Sequence, residues 1–279
     1  MKLNFTKMHG IGNDYIYFNC MQEELVDPQS IAISLSDRHF GIGGDGIVLI
    51  CKSDIADAKM RMFNTDGSEG RMCGNAIRCV GKYLYDNQIV DKLTINIETM
   101  SGIKELKLTT DGGLVSMVTV DMGKAGLSPS IIPVNLDLDK IIDYPLNIDG
   151  VAYRVTCVSM GNPHCVIFCE DVDNLDVATV GVKFETDKLF PERVNTEFVE
   201  VIDENTLRMR VWERGSGETL ACGTGACAAA VAAVLNGHCV KGEDIRVILR
   251  GGDLIINYTD NRVLMTGSAN KTFEGVVEL

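Results

Sequence analysis

The stretch that most limits what this chain can fold into is Asn64-Thr-Asp-Gly-Ser-Glu-Gly-Arg-Met-Cys-Gly-Asn-Ala-Ile-Arg78. Its plan returns later as Glu213-Arg-Gly-Ser-Gly-Glu-Thr-Leu-Ala-Cys-Gly-Thr-Gly-Ala-Cys227. Each copy carries a Gly-Ser pair (Gly67-Ser68, Gly215-Ser216), a glutamate close behind, then Cys-Gly and a small polar residue. An apolar-rich run suited to a helix follows each, Ala76 to Tyr85 and Ala226 to Leu235. The chain is therefore expected to build one unit twice, with Cys73 and Cys222 each at the first turn of a helix.

That position has a specific chemistry. A helix N-terminus presents unpaired backbone N–H groups and the positive end of the macrodipole. It favours anions, and a thiol placed there ionises more readily than a free one. Gly74 and Gly223 leave the backbone open to a ligand, while Asn75 and Thr224 add short hydrogen-bonding groups. Two anion cradles are expected, each with a reactive sulfur, facing each other across one small ligand. The other eight cysteines, at 20, 51, 79, 157, 165, 169, 227 and 239, lie mostly in apolar runs and read as small buried hydrophobes.

Composition narrows the partners. With 26 Lys+Arg against 39 Asp+Glu the net charge is −13, which disfavours nucleic acid and anionic membrane surfaces. No apolar run approaches the ~18–20 residues that cross a bilayer. The first nine residues lack the apolar core of a signal peptide. A reduced, cytoplasmic setting is expected, so the ten cysteines do not read as a disulfide framework. There is no Cys-x-x-Cys pair, and no metal site or pyridoxal phosphate is expected.

In chain order, Leu3 to Lys7 and Asp14 to Cys20 read as strands around Met8-His-Gly-Ile-Gly-Asn13, where Asn13 is either a turn residue or a ligand contact. Pro28 to Arg38 reads as a short helix. Gly41 to Gly46 matches neither phosphate-binding fingerprint and reads as a turn into the strand Ile47 to Cys51. Ala58 to Phe63 is a strand, and Leu93 to Val120 holds three, with Asp111-Gly-Gly113 as a hairpin signal. Gly123 to Asn147 lacks periodicity and reads as the crossover between halves.

The second half restarts with the strand Gly150 to Val158. A turn from Ser159 to Cys165 then carries Asn162 and His164 on either side of a proline. Asn174 to Glu185 is weakly helical, and Phe190 to Asn195 reads as exposed. Phe198 to Ile202 and Leu207 to Trp212 alternate as a strand pair, and three closing strands lie at Ile245 to Leu249, Leu254 to Tyr258 and Val263 to Thr266. The run Ala226 to Leu235 is apolar on nearly every face and should be buried. The expected class is α+β: two pseudo-symmetric halves, each a mostly antiparallel, mixed sheet wrapped around a central helix.

Two thiols on opposite faces of one carbon can invert it. A thiolate takes the α-proton and a thiol on the other side returns one, with the helix ends stabilising the carbanion through the substrate carboxylate.

At these residues the sequence resembles the diaminopimelate epimerase family over essentially its whole length. The resemblance rests on His9-Gly-Ile-Gly-Asn-Asp-Tyr15, on Asn64-x-Asp-Gly-Ser with Cys73-Gly-Asn75, on Gly161-Asn-Pro-His164, on Arg193-Val-Asn195, and on the run Glu213 to Gly225. It implies a cofactor-independent epimerase of LL- and meso-2,6-diaminopimelate, serving lysine and peptidoglycan precursor synthesis, with Cys73 and Cys222 as its acid/base pair. By the same resemblance Asn13, Asn64, Asn162 and Asn195 bind substrate. Gly74-Asn75 and Gly223-Thr224 cradle carboxylates, and Arg214 holds the remote carboxylate. Glu213 contacts the distal end or tunes the site, and His164 adjusts a cysteine. The family fold implies halves of residues 1–120 plus 267–279 and 121–266, an active site in the cleft, the last strand returning to the first half, and a homodimer. One position departs: Gly46 stands where many family members carry a substrate-binding glutamine.

Three rivals stay open on the residues alone. A proline-racemase-like enzyme would use the same two thiols, but Asn75 and Arg214 suit a longer, two-ended substrate. A thiol redox protein would cycle Cys73 and Cys222 through a disulfide. A binding module would keep its ligand after Cys→Ser at either position.

Overall fold

A computed structural model of the chain describes residues 2–279. Residues up to Asp121 together with Thr266–Leu279 form one compact unit, and Met122–Met265 form a second. The architecture is α+β in both.

In the first unit the sheet runs Asn270–Glu278, Lys2–Gly10, Asn13–Cys20, Gly46–Cys51, Ala58–Asn64, Thr94–Thr99, Gly102–Asp111, Leu114–Asp121. Successive neighbours pair antiparallel, antiparallel, parallel, antiparallel, parallel, antiparallel and antiparallel. The second unit orders its strands Tyr144–Ile148, Val151–Ser159, Pro163–Phe168, Asn195–Asp203, Thr206–Glu213, Asp244–Leu249, Gly252–Tyr258. Their pairings repeat the same succession up to the sixth step.

The four α-helices obey one spacing. Helix α1 (Pro28–Ser36) and helix α2 (Gly74–Asp86) have their counterparts in α3 (Val177–Glu185) and α4 (Gly223–Leu235), each 149 residues later, the step from Cys73 to Cys222. Their caps follow the same step. Asp27 accepts from Ser30 N at the start of α1, and Asp176 from Thr179 N at the start of α3. Asn87 and Asn236 close α2 and α4. An ion pair repeats too: Arg61 to Glu69 in the first unit, Arg210 to Glu218 in the second, with Nε–Oε1 separations of 2.7 and 2.8 Å.

Each sheet curls round its second helix. Helix α2 is buried from Gly74 to Gly81, and a Cβ on Gly81 would stand 2.9 Å from Leu106 Cδ2, so the helix lies hard against the strand Gly102–Asp111. Helix α4 is Gly-Thr-Gly-Ala-Cys-Ala-Ala-Ala-Val-Ala-Ala-Val-Leu, with every residue from Gly225 to Ala233 buried. Alanine supplies helix propensity and a thin profile, which lets strands approach on all sides. A separate cluster around Ile16, Phe18, Ile47 and Phe63 seats α1, and one around Val155, Phe184 and Phe198 seats α3.

Two strands go beyond the sequence reading: Tyr144–Ile148 lies largely inside the expected crossover, and Pro163–Phe168 begins where a turn was expected. Asn270–Glu278 is a strand of the first unit, as the family resemblance implied, although it carries no clean alternation. The segment expected to be exposed after Phe190 is partly core: Phe190 is 2% exposed and Val194 fully buried, while Glu192 and Arg193 face solvent. Among the described residues no helix is long and apolar enough to cross a membrane.

Candidate active site

Both motif cysteines are helix N-caps, one residue earlier than the first turn. Cys73 has extended backbone and its sulfur accepts from Ala76 N at 3.4 Å. Cys222 repeats this with Gly225 N at 3.3 Å. A capping side chain must accept one of the orphan N–H groups. Here a sulfur does so twice, and it thereby lies in the positive field of the helix end.

The first cradle gathers Cys73, Gly74, Asn75 and Asn13. The Cys73 thiol donates to Asn13 Oδ1 at 3.3 Å. Asn13 is oriented from behind, its Nδ2 donating to Asp45 Oδ2 at 2.7 Å, and Asp45 is paired to Arg38 at 2.9 Å. Asn75 is buried at the second position of α2. Asn64 sits at the end of its strand, with Nδ2 donating to Ser68 Oγ at 3.0 Å. Arg78, left unassigned by the sequence, is wholly buried and donates to Gly74 O and Ser268 O, both at 3.1 Å.

The second cradle is the more enclosed. Cys222 is 5% exposed, with its sulfur 3.5 Å from Thr224 Oγ1. Asn162 Nδ2 donates to Thr224 Oγ1 at 3.3 Å, and its Oδ1 lies 3.0 Å from His164 Nε2. His164 sits in the strand Pro163–Phe168, with no exposed surface, and its Nδ1 pairs with Glu197 Oε1 at 2.7 Å. Glu213 accepts from Thr219 Oγ1 and from Cys222. Burial is the largest influence on Glu213 and lifts its carboxyl above the usual range, with those hydrogen bonds opposing it. Burial also raises the Cys222 thiol well above its ordinary value, and the nearby Glu213 and Glu197 carboxylates raise it further.

Two other expected residues are held from the backbone. Asn195 is buried, donates Nδ2 to Pro163 O at 2.9 Å, and accepts Arg214 N at 2.9 Å on Oδ1. Its amide therefore braces the loop bearing Arg214. Arg214 is exposed, its Nη1 donating to Glu192 O at 2.8 Å. Glu197, Thr219, Asp45 and Arg78 were missed by motif reading. Glu197 was within reach of the sequence, since the step of 149 residues aligns it with the apolar Val48.

The class follows from the fold. A *Bacillus anthracis* phenazine biosynthesis protein of the PhzF family superposes with a TM-score of 0.71 at 14% identity, covering 100% of both chains. A probable proline racemase from *Agrobacterium radiobacter* gives 0.71 at 13% identity, over 99% of this chain and 92% of that one. A hydroxyproline epimerase from *Agrobacterium vitis* gives 0.70 at 13% identity, over 99% and 92%. The chain thus has the two-unit α+β fold of these proteins.

The sequence goes further. The diaminopimelate epimerase family profile matches residues 5–128 and 156–272. The diaminopimelate epimerase of *Acetivibrio thermocellus* is 57% identical over 279 residues, covering 99% of both chains. That of *Methanococcus maripaludis* is 52% identical over 99% of this chain and 100% of its own. The chain belongs to the diaminopimelate epimerase family.

Proposed function

We propose that the protein interconverts LL- and meso-2,6-diaminopimelate by a two-thiol, cofactor-independent epimerisation, within lysine and peptidoglycan precursor synthesis. The observation that carries this reading is a cysteine capping a buried helix at the same position of each repeat. Each half supplies one thiol. One sulfur, as thiolate, takes the α-proton; the other, as thiol, delivers a proton to the opposite face of the same carbon. The charge that develops on the α-carboxylate is met by the N–H groups of the capped helix ends. After one turnover the sulfurs have exchanged protonation states, and the reverse reaction uses them so.

Asn13 and Asn162 orient substrate at the two sulfurs, Asn64 and Glu213 contact it beside them, and Arg214 takes the distal carboxylate. Asn195 acts by setting the Arg214 loop. The family resemblance adds a homodimer and a cytoplasmic location to the reading.

The test is deuterium uptake from solvent at the α-carbon of LL-diaminopimelate, under reducing conditions and without added cofactor. Wild type should exchange and form the meso isomer, and Cys73→Ser and Cys222→Ser should each lose conversion by a factor of ~10³ or more. Exchange with proline in place of diaminopimelate would move the substrate and keep the chemistry. No exchange with any amino acid would end the epimerase reading.

A further inference from the structure

The two cradles occupy equivalent fold positions, yet what lies behind them differs. Strand register maps Tyr15, Val48 and Ala76 of the first unit onto His164, Glu197 and Gly225 of the second, all by the step of 149 residues. In the first unit Tyr15, Val48 and Ala76 are all buried. In the second, an imidazole faces a carboxylate, both without exposed surface.

Room for that carboxylate has been made. A Cβ on Gly225 would stand 2.7 Å from Glu197 Oε1 and 3.2 Å from Cys222 Sγ, so an alanine like Ala76 would not fit there unmoved. Glu197 thus lies against the first turn of α4, beside the sulfur. Its Oε1 meets His164, and its Oε2 has no hydrogen-bond partner among the described residues. A buried carboxylate oxygen left without a partner in this way costs stability. The arrangement therefore calls for a use.

We propose that Glu197 is a positioning residue of this site, which fixes His164 and through it Asn162 and Thr224, and which sets a negative charge beside Cys222 that Cys73 does not meet at the equivalent position. The hydrogen-bonded line runs from Glu197 to His164, to Asn162, to Thr224 and to the Cys222 sulfur. The titratable groups facing Cys222 are Glu213 and Glu197. Those facing Glu197 are His164, Glu213, Cys222 and Cys165. A second negative charge beside a thiol disfavours the thiolate, against the pull of the helix end. The first cradle has no counterpart to this: the position of Glu197 is held by Val48. The two sulfurs are matched in geometry and unequal in charge.

The part Glu197 plays in turnover rests on the two-thiol reading, but its effect on Cys222 can be measured without it. Full-length wild type and Glu197→Gln would be treated with iodoacetamide from pH 6 to 10, with modification of Cys73 and Cys222 followed separately by peptide mass spectrometry. Removing one buried like charge should make Cys222 alkylation roughly tenfold faster at each pH of the scan, the equivalent of about one pH unit, with Cys73 unmoved. If Glu197→Gln does not fold, Glu197→Val with Gly225→Ala installs the first unit's own solution, and the same shift is expected. A Cys222 profile that stays at the wild-type position, or a shift shared equally by Cys73, overturns the proposal. Conversion of LL- to meso-diaminopimelate that survives Cys222→Ser would instead overturn the two-thiol reading and leave the alkylation result standing.

Discussion

At the scale of single residues the most telling position is Gly46, where the family resemblance implied a glutamine. Its φ is +148°, and a Cβ there would meet Phe63 O at 2.1 Å and Tyr15 Cε1 at 2.9 Å. Gly46 also pairs with Asn64, the residue that leads into the first motif. A side chain is thus excluded twice, by its own backbone and by the neighbouring strand. The local backbone has settled around glycine, so installing glutamine should harm this chain. Gly46→Gln is expected to lose ~2–4 kcal/mol of stability in urea denaturation, through strain and a displaced strand. A variant as stable as wild type would show that the strand can shift to admit the side chain. The equivalent position in the second unit is Asn195, which has a full side chain and spends it bracing the backbone.

At the scale of elements, the capping cysteines carry two duties that substitution can separate. Serine keeps an acceptor on the same stem for Ala76 N or Gly225 N, whereas alanine leaves that N–H without it. Cys73→Ser and Cys222→Ser should therefore stay close to wild type in stability while losing the thiol. Cys73→Ala and Cys222→Ala should each unfold ~1 kcal/mol more easily than the serine variants. Equal stability of the serine and alanine forms would remove the sulfur from the capping role. The same elements show what could be read from sequence. Helices α2 and α4 were legible because Cys-Gly followed by an apolar-rich run, broken by Arg78 and Lys82 in the first and unbroken in the second, leaves little choice but a capped helix with a buried face. Strands joined by tight turns, such as Gly102–Asp111 and Leu114–Asp121, were legible because Gly112 and Gly113 both adopt positive φ at the turn. Pro163–Phe168 was not, since its partners are Val151–Ser159 on one side and the distant Asn195–Asp203 on the other. Read locally, without the 149-residue step that sets it against Val48, Glu197 was hidden for a related reason. A glutamate in Asn-Thr-Glu-Phe-Val-Glu-Val reads as a solvent face, and only the packing of α4 against that strand turns it inward.

At the scale of the molecule, the first unit is closed by residues from the two ends of the sequence. Asn270–Glu278 lies antiparallel along Lys2–Gly10, from Lys2 opposite Glu278 to His9 opposite Asn270. Nothing local announces this strand: Lys271, Glu274 and Glu278 interrupt its apolar residues, and its partner is the most distant strand in the sequence. Its fit is nevertheless specific. Phe273 packs edge-on to Phe5 with ring centroids 5.9 Å apart, and a Cβ on Gly275 would stand 2.7 Å from Phe5 Cζ. Arg78 reaches the segment just before it, at Ser268 O, from the first turn and a half of α2. The strand so covered leads through Ile11 and Gly12 to Asn13, which accepts from Cys73. Closure of the sheet edge and placement of the first sulfur are therefore mechanically one problem. Deleting residues 270–279 should strip the Lys2–Gly10 amides of hydrogen-exchange protection and loosen Asn13 with them, while Asn195–Asp203 in the second unit keeps its protection. Exchange that rises equally in both units would mean that the chain unfolds as one body. Unchanged exchange along Lys2–Gly10 would mean that the edge needs no cover, and that Cys73 is held by the cap and Asn13 alone.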